Sequence, residues 1–158
     1  VYAEDQPGAS EMRVGFTGTQ NGMTDMQSQF VFNTMMDLEP TEAHHGCCIG
    51  ADAQFHDMLG YSQAQVYGHP PINTSKMADC QCDARAVPKD YLERNRAIVD
   101  TTDVLIAAPK GPEELRSGTW STVRYARKLR RPIYIVWPSG SMTVENAPPH
   151  HPSSSEEA

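Results

Sequence analysis

The apolar run Val104-Leu-Ile-Ala-Ala108 leads straight into the stretch Pro109-Lys-Gly-Pro-Glu-Glu-Leu-Arg-Ser-Gly-Thr-Trp120, and an amphipathic segment follows. A strand, a loop and a helix in that order constrain the chain to an α/β unit whose loop opens at the C-terminal end of the strand. Ser117, Gly118 and Thr119 fall at the start of the helix. Free backbone N–H groups and the positive end of the helix dipole favour a phosphate or another anion there, and small residues let the backbone come close to it. The loop therefore predicts a nucleotide-type ligand.

From Met12 onward, short apolar runs alternate with longer amphipathic ones, the pattern of a parallel sheet covered by helices. Strands are expected at 13–16, 42–47, 64–67, 104–108 and 132–136. Helices are expected from Thr24 or Asp25 to about Leu38, up to about Leu59, over 90–100, and from Gly118 to about Leu129. The prediction is an α/β, three-layer Rossmann-like domain with a mainly parallel five-stranded sheet, spanning 12–140. Residues 1–11 read as an N-terminal extension, and 141–158 as a flexible tail in which His150 and His151 carry no chemistry. The polar segment from Gly68 to Lys89 is too long for an ordinary connection and reads as a lid or a dimer arm. Met23, Met26, Met35 and Met36, at helical spacing, read as core.

A chain of 158 residues, 39% of them hydrophobic, is long enough for one domain with a proper core. Its net charge of −7 argues against a protein built to hold a nucleic-acid backbone. The basic group Arg124, Arg127, Lys128, Arg130 and Arg131 reads as a solvated helix end favoured by the dipole. No apolar run is long enough to span a bilayer, so the expectation is a cytoplasmic protein with no membrane partner.

Ligands of such sheets bind beyond the C-terminal strand ends, near the point where strand order reverses. The loops after the first, second and fourth expected strands carry Thr17-Gly-Thr-Gln20, Gly46-Cys-Cys-Ile-Gly-Ala-Asp52 and Ser117-Gly-Thr119, and Arg94-Asn-Arg-Ala-Ile-Val99 precedes the fourth. Taken together, these four motifs resemble the SLOG superfamily, which includes the "lonely guy" phosphoribohydrolases, the DNA-processing protein DprA and small YspA-type proteins. The resemblance covers roughly residues 12–138. It implies a nucleotide or nucleotide-sugar pocket across the strand ends, often in a homodimer. Gly18 and Thr19 would approach the ligand by backbone, Asp52 would face a sugar hydroxyl or base, Arg94 would lie near phosphate, and Ser117 to Thr119 would hold it. The ligand-binding set is then Thr17, Gly18, Thr19, Gln20, Gly50, Ala51, Asp52, Arg94, Asn95, Pro109, Ser117, Gly118, Thr119 and Trp120.

The sequence departs from the phosphoribohydrolases at one chemically decisive position. Their Pro-Gly-Gly-x-Gly-Thr-x-x-Glu signature ends in a glutamate needed for glycosidic cleavage, whereas here Gly118-Thr-Trp-Ser121 is followed by Thr122. Threonine supplies neither a negative charge nor a base. Glu113 and Glu114, in the preceding loop, are the substitutes within reach. The leading expectation is thus a nucleotide-binding sensor, carrier or sequestering protein, with no cofactor. An N-glycoside hydrolase of nucleoside monophosphates is the alternative, and DprA-like single-strand DNA binding ranks third because of the acidic charge.

Several residues keep two readings. Asp52 contacts ligand or stabilises a first helical turn. Arg94 faces inward or pairs with Asp90 on the surface, and the polar Asn95 on the line of Tyr91 and Ile98 favours the inward face. Trp120 anchors the core or stacks on a base. His44, His45, Cys47 and Cys48 cluster, with Cys80-Gln-Cys82 in the long segment, but neither spacing is a Cys-x-x-Cys knuckle. Adjacent strand residues point to opposite faces, so one face offers at most His44 with Cys48 or His45 with Cys47. No metal is expected, and the cysteines read as free thiols.

Overall fold

Side chains of one interior strand alternate between two hydrophobic cores: Val104, Ile106 and Ala108 enter one, Leu105 and Ala107 the other. That pattern is the signature of a parallel strand covered on both faces. The structure is a computed structural model and describes residues 11–147. Its elements are β1 (Arg13–Gly18), α1 (Asp25–Leu38), β2 (Glu42–His45), α2 (Ala51–Met58), β3 (Gln65–Gly68), β4 (Ala84–Arg85), α3 (Tyr91–Asp100), β5 (Val104–Ala108), α4 (Gly118–Lys128), β6 (Ile133–Val136) and β7 (Met142–Glu145).

The sheet runs β4-β3-β2-β1-β5-β6-β7, parallel throughout except for β7, which pairs antiparallel with β6. Val31 and Met35 of α1 and Ala51 and Phe55 of α2 close the first core, where Phe16 and Phe55 stack at 4.3 Å. Trp120, Val123 and Ala126 of α4 and Val99 of α3 close the second. Burial of each large side chain contributes about 1.5–3 kcal/mol. The chain leaves β1 toward β2 on one side and returns to β5 on the other, so strand order reverses between β1 and β5.

Seven strands replace the five expected, and both additions are edge strands with weak sequence signals. β4 is two exposed residues, and so carries no apolar alternation; it pairs with β3 through Tyr67 to Ala84 and Gly68 to Arg85. β7 lies inside the stretch expected to be tail. Met142 and Val144 pack on the first core, and a tight turn sets the strand's start, with Gly140 at φ 92° donating to the Trp137 carbonyl at 2.8 Å. Trp-Pro-Ser-Gly was the readable signal, a proline-initiated turn followed by glycine. The extension 1–10 and the tail from 148, with His150 and His151, lie outside the described residues.

α1 starts at a capping box, Thr24 Oγ1 accepting from the Gln27 amide at 3.0 Å and Gln27 Oε1 from the Thr24 amide at 3.2 Å. Of the methionines expected in the core, Met26 and Met36 are exposed, as is Phe30, while Gln27, Val31, Thr34, Met35 and Leu38 point inward. Gln27 takes the inward position because its amide donates to the carbonyls of Pro109 and Val136, both at 2.8 Å, joining α1 to the ends of β5 and β6. Among the described residues no helix is long and apolar enough to cross a membrane.

Candidate functional site

A cavity of about 590 Å³ opens at the C-terminal ends of β1, β2 and β5, beside the point where strand order reverses. Its floor is Thr17, Gly18, Thr19, Gln20 and Asn21 after β1. The Thr19 amide donates to the Ala108 carbonyl at 3.0 Å, and the Thr19 carbonyl accepts from Ala51 at 2.9 Å, so the loop is fixed from both sides. Gly50 and Ala51 are not on the cavity wall; they brace it from behind. A Cβ on Gly18 would lie 2.5 Å from the Ala51 Cβ, and one on Gly50, at φ 85°, would lie 2.3 Å from the Gln20 carbonyl oxygen.

The opposite wall is the loop before α4 and the helix's first turn: Lys110, Glu114, Arg116, Ser117, Gly118 and Thr119. Ser117 is the N-cap, its hydroxyl accepting from the Trp120 amide at 3.1 Å. Arg124 of α4 holds the loop in place by donating to the carbonyls of Glu114 and Leu115, each at 3.1 Å. Glu113 turns away from the cavity to pair with Arg124 and Arg127, both at 3.0 Å. Of the two glutamates, only Glu114 is on the cavity wall.

Two of the expected contacts, Trp120 and Pro109, take other roles, and Thr122 is structural as well. Thr122 occupies the position of the missing glutamate and donates its hydroxyl to the Gly118 carbonyl at 2.8 Å, which fills no catalytic role. Trp120 is 2% exposed and packs in the second core against Trp137, so it anchors rather than stacks on a base. Pro109 lies off the wall, and its carbonyl receives the Gln27 amide.

Asp52 and Arg94 form the back of the site. Arg94 is inward, as Asn95 suggested: its Nε donates to Asn95 Oδ1 at 2.8 Å, and its Nη1 donates to the Gly46 carbonyl and, at 3.2 Å, to that of His69. It thereby clamps the loop after β2 to the end of β3. Asp52 Oδ2 accepts from the Cys48 amide at 3.1 Å. Burial pushes the Asp52 carboxyl above its ordinary range, although the charges of His45 and Arg94 pull against that shift.

Sequence reasoning missed the wall supplied by the segment after β3. Asn73, Ser75 and Lys76 line the cavity because this segment docks on the loop after β2: Ile49 donates to the Lys76 carbonyl at 2.9 Å and Ala78 to that of Cys47 at 2.8 Å. Tyr91 and Ile98 of α3 join them. Lys110 and Arg116 both precede the Ser117–Thr119 turn in sequence and could have been read from that placement. Lys76, Arg94, Lys110 and Arg116 thus face the cavity against two carboxylates, Asp52 and Glu114, a cationic lining in a chain of net charge −7.

Two solved structures share this fold. The molybdenum cofactor binding protein from the phototrophic bacterium Rippkaea orientalis superposes with a TM-score of 0.64 at 22% identity, over 82% of this chain and 78% of that one. The structural-genomics target TM1055 superposes with a TM-score of 0.58 at 16% identity, over 77% and 72% of the two chains. At these identities the likeness is one of fold, a Rossmann-like α/β domain. No family model and no curated protein matches the sequence.

The histidines and cysteines are arranged differently from the pairs that strand alternation suggested. His44 faces α3, with Nδ1 2.8 Å from His69 Nε2 and Nε2 3.1 Å from Glu42 Oε1. His45 faces the other way, its Nε2 3.0 Å from Nδ1 of His56 on α2. Donor atoms of His45, His56 and Cys80 all lie within 4.8 Å of one another. The neighbouring Cys47 side chain, with a smaller effect from His45, pulls the Cys82 thiol well below the ordinary range.

Proposed function

We propose that the cavity binds a phosphorylated heterocyclic small molecule, a nucleotide or a compound of similar build, and that the protein acts as a sensor or carrier of it. The observation that carries this reading is the wall formed by Lys110, Arg116 and the first turn of α4, where Gly118 and Thr119 present N–H groups to the same space. The volume of about 590 Å³ suits a ligand of nucleotide size. The phosphate lies at α4, and the heterocycle reaches across the Thr17–Gln20 floor toward Asp52, whose buried carboxylate selects a donor edge. The SLOG-like motifs support a nucleotide. The fold neighbour named as a molybdenum cofactor binding protein supports small-molecule binding as the wider class. Protein purified without added ligand and then denatured should release such a molecule, identified by mass spectrometry. Release of only unphosphorylated compounds would count against the proposal.

A second reading, N-glycoside hydrolysis, is favoured by one observation: Glu114 is on the cavity wall beside the phosphate turn. Its test is free base released from nucleoside monophosphates by the intact protein and lost in Glu114→Gln. Intact recovery of every nucleotide after long incubation leaves binding as the function.

A further inference from the structure

Outside the cavity, behind the loop after β2, the fold assembles imidazoles and thiols from four separate places. His45 ends β2, Cys47 follows it, His56 stands on α2, and Cys80 and Cys82 come from the segment after β3. We propose that His45, His56, Cys80 and Cys82 bind a zinc ion that pins this segment to the body of the domain.

Distances carry the assignment. Donor atoms around tetrahedral zinc sit roughly 3.3–3.8 Å apart, given bonds of about 2.0–2.1 Å to nitrogen and about 2.3 Å to sulfur. Here the donor atoms of His45, His56 and Cys80 fall within 4.8 Å of one another, so a small inward movement closes the set. Cys82 is the fourth ligand because its sulfur lies beside Gly68, the residue that pairs with His45 across β2 and β3. The backbone leaves room for the sulfurs at Gly68, where a Cβ would come within 2.7 Å of Cys47 Sγ and 2.9 Å of Cys82 Sγ. Cys47 stands next to the set and is held at φ 61°, a left-handed conformation that a thiol-bearing residue seldom adopts.

The chemistry balances without any redox partner. The Cys47 amide donates to His45 Nδ1 at 3.0 Å, which places the imidazole proton on Nε2, bridging to His56 Nδ1. Ligation moves that proton to Nδ1, opens the Cys47 contact and frees Nε2 for the metal. Two neutral imidazoles and two thiolates offset the 2+ charge, so loading displaces whatever thiol protons remain and leaves a neutral buried centre. Soft thiolates with imidazole select zinc over hard oxygen-seeking cations. The consequence is architectural: the segment that brings Asn73, Ser75 and Lys76 to the cavity is otherwise short of core, with Ile72 and Val87 exposed.

The test is metal analysis of the full-length protein, followed by titration of the chelator-treated protein with Co²⁺ and then Zn²⁺. The expected result is close to one zinc per chain as purified. Co²⁺ should give sulfur-to-metal charge transfer and tetrahedral d–d bands, both bleached by Zn²⁺. Cys80→Ser and His56→Ala should lose the spectrum, whereas His44→Gln, on the opposite face of β2, should keep it. A wild-type protein that gives no tetrahedral Co²⁺ spectrum overturns the proposal without reliance on any variant. So does a spectrum that survives in Cys80→Ser, or a native Cys47–Cys82 disulfide in metal-free protein.

Discussion

The Ser117 hydroxyl accepts the Trp120 amide at 3.1 Å, and this single bond both starts α4 and aims its first turn at the cavity. Ser117→Ala removes the cap, which should lower stability by about 0.5–2 kcal/mol. It should also weaken binding of a phosphorylated ligand. Chemical denaturation and calorimetric titration on the same variant read the two effects separately.

Arg124 acts on the loop before α4 from outside the cavity. It grips the carbonyls of Glu114 and Leu115 and the carboxylate of Glu113, yet its side chain is one-third exposed. Arg124→Ala should therefore cost only about 0–1 kcal/mol of stability. Affinity should fall by about tenfold as the loop loses its fixed geometry, because ordering it again on binding costs free energy. Equal losses in stability and affinity would show that the clasp is not specific to the loop.

Gln27 shows which parts of the fold were readable and which were not. Thr24 or Asp25 was expected to start a helix, and Thr24 is its N-cap. The inward turn of Gln27 was not readable, since it depends on carbonyls at Pro109 and Val136 that are distant in sequence. Gln27→Leu should leave both carbonyls unpaired and cost roughly 2–4 kcal/mol, measured by urea unfolding.

The same division holds across the site. Glycines and small hydroxylated residues after β1 and before α4 announced the cavity because their local chemistry suits close backbone approach, and all of Thr17 to Gln20 and Ser117 to Thr119 line it. Lys76 was hidden in a segment whose position depends on docking against Ile49. His56 was missed as a partner of His45 because α2 sets it opposite the strand, a relation that no local spacing encodes. Trp120 was readable only as one of two alternatives, and its burial against Trp137 decides for the core. Trp120→Phe should accordingly destabilise the protein by about 1–2 kcal/mol while leaving affinity within about twofold.

Asp52 ties stability to pH in a direction opposite to that of an ordinary surface carboxylate. Burial raises its folded-state pKa above the unfolded value of 3.8, so the native state holds the proton more tightly than the unfolded chain does. Its contribution is therefore most favourable below pH 3.8 and is lost as pH rises through the folded pKa. Asp52→Asn, which keeps an acceptor for the Cys48 amide, should flatten that loss and leave stability at neutral pH unchanged or higher. Denaturation midpoints across pH 3–7 in both proteins check the sign, and a larger loss at neutral pH in the variant would reverse it.

The most direct measurement is calorimetric titration with paired ligands: AMP against adenosine, GMP against guanosine, and ribose 5-phosphate against ribose. A phosphate held at α4 by Lys110 and Arg116 predicts that at least one phosphorylated member binds, that its unphosphorylated partner binds at least about tenfold more weakly, and that Lys110→Ala with Arg116→Ala erases the difference. Equal binding of a pair with and without phosphate, or a preference that survives loss of both cations, would contradict the assignment of this cavity to a phosphorylated ligand.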